Sequence, residues 1–127
     1  MRTGPSQTAL GPGELLKSIS VPPPAEGTGV AYLRLSARSR VDLSAVSVAA
    51  GVRMEGGACV EARIALGAVG PTPLLAFAAA GMLEGQKLSS DLLEEVGRKA
   101  AEEAKPVTDV RATAPYRREM VYVLTKR

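Results

Sequence analysis

Apolar residues recur at every second position in the middle of the chain. Val46, Val48, Ala50, Val52 and Met54 share one face of a first run, and Ala58, Val60, Ala62, Ile64, Leu66 and Ala68 share one face of a second. Successive side chains of a strand point to opposite faces, so this period predicts two strands, each with one buried face. Glu55-Gly56-Gly57 lies between them and turns at little steric cost, which predicts a hairpin with a three-residue loop. Upstream, Val30 to Ser36 alternates Ala31, Leu33 and Leu35 against Tyr32, Arg34 and Ser36, a third strand with Arg34 on the face opposite the leucines. Glu14 to Val21 reads as a further short strand. It stops at Pro22-Pro23-Pro24, where fixed φ and missing amide donors prevent pairing, and Gly27-Thr28-Gly29 then turns the chain. Met1 to Pro12, rich in Gly, Pro, Ser and Thr without periodicity, is expected to be an irregular tail.

From Thr72 the period changes. Thr72 is a candidate N-cap with Pro73 at N1, and Leu74, Phe77, Ala78, Gly81 and Met82 follow helical spacing up to Gly85. A second helix is capped by Ser90 or Asp91, turns Leu93, Val96, Gly97, Ala100 and Ala104 inward and closes at Lys105-Pro106. Thr113 and Pro115 start a third, with Tyr116, Met120, Val123 and Leu124 as its apolar stripe and Arg117, Arg118 and Glu119 toward water, running almost to Arg127. Four strands followed by three helices predict an α+β domain, an antiparallel sheet with the helices packed on one face.

With one Phe, three Tyr and no Trp in 127 residues, the core must be aliphatic and alanine-rich. A net charge of +3 without aromatic stacking groups or Lys/Arg blocks points away from nucleic acid. No apolar run approaches the roughly 20 residues of a membrane span, and no apolar segment follows a basic start at the N-terminus, so a soluble, cytoplasmic chain is expected. The absence of histidine removes the usual base for a Ser or Cys nucleophile, and with a single cysteine, Cys59, no thiol/imidazole metal cluster can form. The glycine pairs Gly11/Gly13 and Gly27/Gly29 lack the third glycine and following helix of a phosphate-binding loop. Glu94-Glu95 and Glu102-Glu103 diverge around a helix and read as solvated charges. Arg34, Arg38 and Arg40, ahead of Asp42, form the one polar constellation of interest, either a solvated strand end or a ligand edge.

Several separate segments, in order, resemble the C-terminal domain of the FAD subunit of molybdenum hydroxylases, the carbon monoxide dehydrogenase and xanthine dehydrogenase family. TALGPGELLKSISVPPP is similar to that family's crossing from its FAD-binding domain. AYLRLSARSRVDLSAVSVAAGV resembles a segment with Lys-Leu-Gly-Arg-Arg before Asp-Ile-Ala, and EARIALGAVGPTP and AKPVTDVRATAPYRREMV resemble its later helix-start motifs. Arg34 stands where the family has lysine, and Ser36-Ala37 replace its usual Gly-Arg.

The resemblance implies residues 1–12 as a junction to an FAD-binding domain and 13–127 as the α+β domain itself. It implies Leu16 and Arg34 as flavin-contact positions, and as partners the FAD-binding domain and the iron–sulfur and molybdenum subunits. The FAD subunit of such complexes relays electrons from iron–sulfur clusters to an external acceptor. The family's glycine-rich FAD segments have no counterpart in these 127 residues, so FAD is expected only together with the FAD-binding domains, and the chain alone is expected to be inactive. A different class remains open, a free-standing interaction module that kept the fold and lost the cofactor; self-association into a homo-oligomer is compatible with either.

Overall fold

In the computed structural model, which describes residues 2–36 and 42–127, a four-stranded antiparallel sheet carries the helices on one face. Its strands are β3 (Thr28–Leu35), β4 (Val46–Glu55), β5 (Ala58–Gly67) and β6 (Leu74–Leu75), in that spatial order. They are preceded by a small hairpin, β1 (Arg2–Gly4) with β2 (Gln7–Thr8), and followed by α1 (Phe77–Gly81), α2 (Ser90–Glu103) and α3 (Ala114–Lys126). The α+β layering read from the sequence is the observed one.

The β4–β5 hairpin is the backbone of the domain. Glu55 pairs with Ala58, so the loop has two residues and not the expected three: Gly56 and Gly57 occupy left-handed conformations (φ 56° and 83°), the geometry of a two-residue turn whose twist matches the strands. Arg53 pairs with Glu61 and Met54 with Cys59, so Val60 is the extra residue of a β-bulge. Strict alternation turns Ala58 and Val60 inward. The bulge resets the phase instead, leaving Val60 exposed and Cys59 fully buried, its sulfhydryl against the Glu61 carbonyl at 3.3 Å.

Three other expectations are corrected. Glu14 to Val21 forms no strand and pairs with none among the described residues, and its Leu15, Leu16, Ile19 and Val21 are exposed. The tail before it holds the β1–β2 hairpin rather than being irregular throughout. The helix expected from Thr72 starts at Phe77: Leu74 and Leu75 instead add β6 to the rim of β5, opposite Leu66 and Ala65. Phe77 consequently points outward, and Ala79 and Ala80 take the buried face. With no side chain at its own N-cap, α1 is capped from α2: Glu103 accepts the Ala79 amide at 2.8 Å and the Ala78 amide at 3.2 Å. Glu103 is therefore a structural cap and not a solvated charge.

The other helices follow their signals more closely. The Ser89 hydroxyl caps α2 at the Leu92 amide, one residue ahead of the expected cap, and Thr113 caps α3 at Tyr116. Val96 and Ala100 of α2 and Ala104 at its C-cap join Val46, Val48, Ile64 and Leu66 of the sheet in an aliphatic core. The stripe of α3 is rotated from expectation, with Tyr116 outward and Arg117, Val121 and Thr125 buried. Arg117, expected in water, is 3% exposed.

Candidate functional site

The faces of the sheet differ in kind. Register places Val30 beside Gly51 and Arg63, Tyr32 beside Ala49, Ala65 and Leu75, and Arg34 beside Ser47 and Gly67. These rows lie on the face opposite the buried Val46, Val48, Ala62, Ile64 and Leu66, and no helix among the described residues covers them. The result is a floor of Ser47, Ala49, Gly51, Ala65 and Gly67, low enough for a planar group or another backbone to approach closely. Tyr32, 60% exposed, and Val30 rise along one side and Leu75 along the other.

Charge divides this floor end to end. Arg53, Glu55, Glu61 and Arg63 form a compensated ion-pair net at the hairpin end, with Arg63 to Glu61 at 3.0 Å. Pro22, Pro23 and Pro24 pass close by and help line a groove of about 260 Å³. Arg34 occupies the opposite end, exposed on β3. Leu16 sits on the segment between the N-terminal hairpin and β3, 60% exposed, and is not among the side chains lining the grooves beside β3. Arg38 and Arg40 lie outside the described residues.

On the helix side, a groove of about 400 Å³ opens between β3, β4 and the facing sides of α2 and α3. Leu33, Val48, Ala50, Leu93 and Leu124 line it, with Lys126 and Arg127 at its rim. Lys126 is already engaged by Glu94 at 2.6 Å, and the Tyr122 hydroxyl also donates to Glu94. The hydrogen bond from Lys126, then that from Tyr122, holds the Glu94 carboxyl below its ordinary range, and the same Glu94 raises Lys126.

The polar cluster that single-residue reading missed is Asp109 with Arg117. Asp109 accepts the Arg111 amide at 2.8 Å, the Ala112 amide at 3.3 Å and the Arg117 guanidinium at 2.6 Å. The Arg111 amide foremost, with Arg117 and Ala112 behind it, lowers the Asp109 carboxyl from 3.8 to about 2. Arg117 also donates to the carbonyls of Ala45 at 2.9 Å and Ala68 at 2.7 Å. The signal was available: Asp109 and Arg117 both lie within AKPVTDVRATAPYRREMV, one of the segments that carry the family resemblance.

No group of three or more His, Cys, Asp or Glu among the described residues could hold a metal ion. No described helix is long and apolar enough to cross a membrane. What the arrangement offers is an open, small-residue sheet face with a cation at one end. A family model, the CO dehydrogenase flavoprotein C-terminal domain, matches residues 31–127.

The chain belongs to that family. It is 38% identical over 120 residues to the carbon monoxide dehydrogenase medium chain of Afipia carboxidovorans, covering 94% of this chain and 41% of that one. It is 29% identical over 126 residues to a putative xanthine dehydrogenase FAD-binding subunit of Escherichia coli, covering 98% and 43% respectively. Among solved structures, the reconstituted CO dehydrogenase from Oligotropha carboxidovorans superposes with a TM-score of 0.89 at 38% identity, over 98% of this chain and 43% of that one. This flavoprotein C-terminal domain thus spans about two fifths of the length of the curated relatives it matches.

Proposed function

We propose that this chain acts as the C-terminal domain of the FAD subunit of a molybdenum-hydroxylase-type oxidoreductase. In this reading its uncovered sheet face packs beside the flavin domain, with Arg34 and Leu16 bordering the flavin. The observation that carries the reading is that open face with Arg34 at its end, which the chain's own helices leave uncovered. A two-layer domain buries one face of its sheet, and a second face floored by Ser, Ala and Gly is shaped for close contact with another layer.

The described residues suit a border to FAD and not a holder of its pyrophosphate. A pyrophosphate is gathered by backbone amides of a glycine-rich loop opening a helix. Here Gly27, Gly56, Gly57 and Gly85, with positive φ, sit in turns, and the amide of Leu92 at the start of α2 is taken by Ser89. FAD held by the neighbouring domain would supply the electron-carrying chemistry between iron–sulfur clusters and an acceptor, the molybdenum cofactor residing in another subunit. The role of this domain is to orient, cover and tune: a cation near the isoalloxazine favours whichever flavin state bears more negative charge.

The experiment is Arg34→Glu in the subunit completed by its FAD-binding domains. The expected result is weaker FAD retention or a lower flavin reduction potential, with the fold intact. Unchanged retention and potential would contradict the placement of Arg34 at the flavin. A free-standing interaction module would use the same open face, and is distinguished by binding a protein that carries no FAD motif.

A further inference from the structure

Ala45 is gripped from both sides. Its amide donates to the Leu35 carbonyl at 2.8 Å, at the last residue of β3, and its carbonyl accepts from Arg117 of α3 at 2.9 Å. The Arg117 guanidinium is in turn set by Asp109 at 2.6 Å, and it also donates, at 2.7 Å, to the carbonyl of Ala68, a non-glycine residue in the left-handed region (φ 63°). A continuous chain of contacts therefore runs from Asp109 through Arg117 and Ala45 to Leu35, next to Arg34. The bond from Arg117 to the Ala45 carbonyl is buried, so Ala45 cannot move away without leaving a desolvated group unpaired, and Asp109, 30% exposed, holds the guanidinium from its other side.

We infer that Arg117 is a positioning residue for the Arg34 end of β3: its guanidinium fixes where the strand ends, and so where Arg34 stands on the open face. The inference rests on the reading of that face as the flavin border for its functional meaning, but its geometry stands without it. The planar fork is what the position requires. A guanidinium reaches two carbonyls and a carboxylate at once, whereas the ammonium of a lysine, a single point charge, does not reproduce that fork.

Two amides of the same β3–β4 ladder provide the test. Ala45 lies at the clamped end, and Met54, donating to Gly27 at 3.0 Å, lies at the far end. Hydrogen exchange of both is measured in the wild-type chain, in Arg117→Lys and in Asp109→Asn. The expected result is exchange at Ala45 faster by about tenfold or more in each variant, as for loss of one local restraint, with Met54 unchanged. Equal acceleration at both amides, no change at Ala45, or loss of the fold in both variants would overturn the inference, since Arg117 would then hold the whole core or nothing in particular. No flavin enters this readout, so failure of the flavin assignment, seen through Arg34→Glu, is separable from failure of the clamp.

Discussion

Single residues show how far context overrides the expectation attached to a residue type. A helix-start arginine reads as solvated, yet Arg117 is buried because Asp109, Ala45 and Ala68 together supply acceptors for its guanidinium. Asp109 carries the pH consequence. Its folded value of about 2 lies below the ordinary 3.8, so it contributes stability that is fully present above pH 4 and lost as pH falls toward 2. Asp109→Asn is expected to flatten the acid limb of stability in that window, measured by denaturant unfolding at a series of pH values. An unchanged acid limb would mean that the pair is not formed in solution. Glu103→Ala strands the amides of Ala78 and Ala79, which is expected to destabilise by about 1–3 kcal/mol in the same assay. Arg34→Glu in this chain alone should stay within about 0.5 kcal/mol, since Arg34 is exposed on β3.

Elements with a long, unambiguous period were legible, and those decided by partners were not. The existence and pairing of β4 and β5 and the inner face of α2 follow from spacing alone, because ten or more residues of periodic apolar sequence identify the element type even where a bulge shifts the phase. The bulge at Val60 escaped notice because an extra residue leaves no trace in an alternating pattern of Ala and Val. Leu74 and Leu75 read as helix because two residues carry no period, and it was the free rim of β5 that recruited them. Glu14 to Val21 has strand composition, yet it does not pair with the outer edge of β3, and composition alone does not decide pairing. Of the candidate site, the face of β3 bearing Arg34 was legible from alternation. The small-residue floor beside it required the register between strands. Close packing of α2 on α3 gives a further expectation. A Cβ on Gly97 would stand 3.0 Å from both the Tyr122 ring and the Tyr122 carbonyl oxygen. The carbonyl belongs to a helix backbone and cannot swing away, so the clash outweighs the roughly 1 kcal/mol gain in helix propensity. Gly97→Ala is expected to lower stability by about 1–2 kcal/mol in thermal unfolding.

The whole molecule presents more apolar surface than its core accounts for. Leu15, Ile19 and Val21 are 78%, 75% and 82% exposed on the segment leading to the sheet, and Val30, Tyr32 and Leu75 crown the open face. Surface of this kind marks a site for a partner, and in the proposed assembly that partner is the flavin domain. The chain alone is expected to self-associate as its concentration rises, checked by sedimentation; a strict monomer with no affinity for a flavin domain would speak against a covered face. The most direct measurement is the visible absorption spectrum of the chain purified alone and after addition of its FAD-loaded neighbouring domain. No flavin band is expected in the first, and in the second a stable complex whose flavin band is perturbed by the chain and less so by Arg34→Glu. Stoichiometric FAD in the chain alone, or a flavin band indifferent to its addition, would contradict the account.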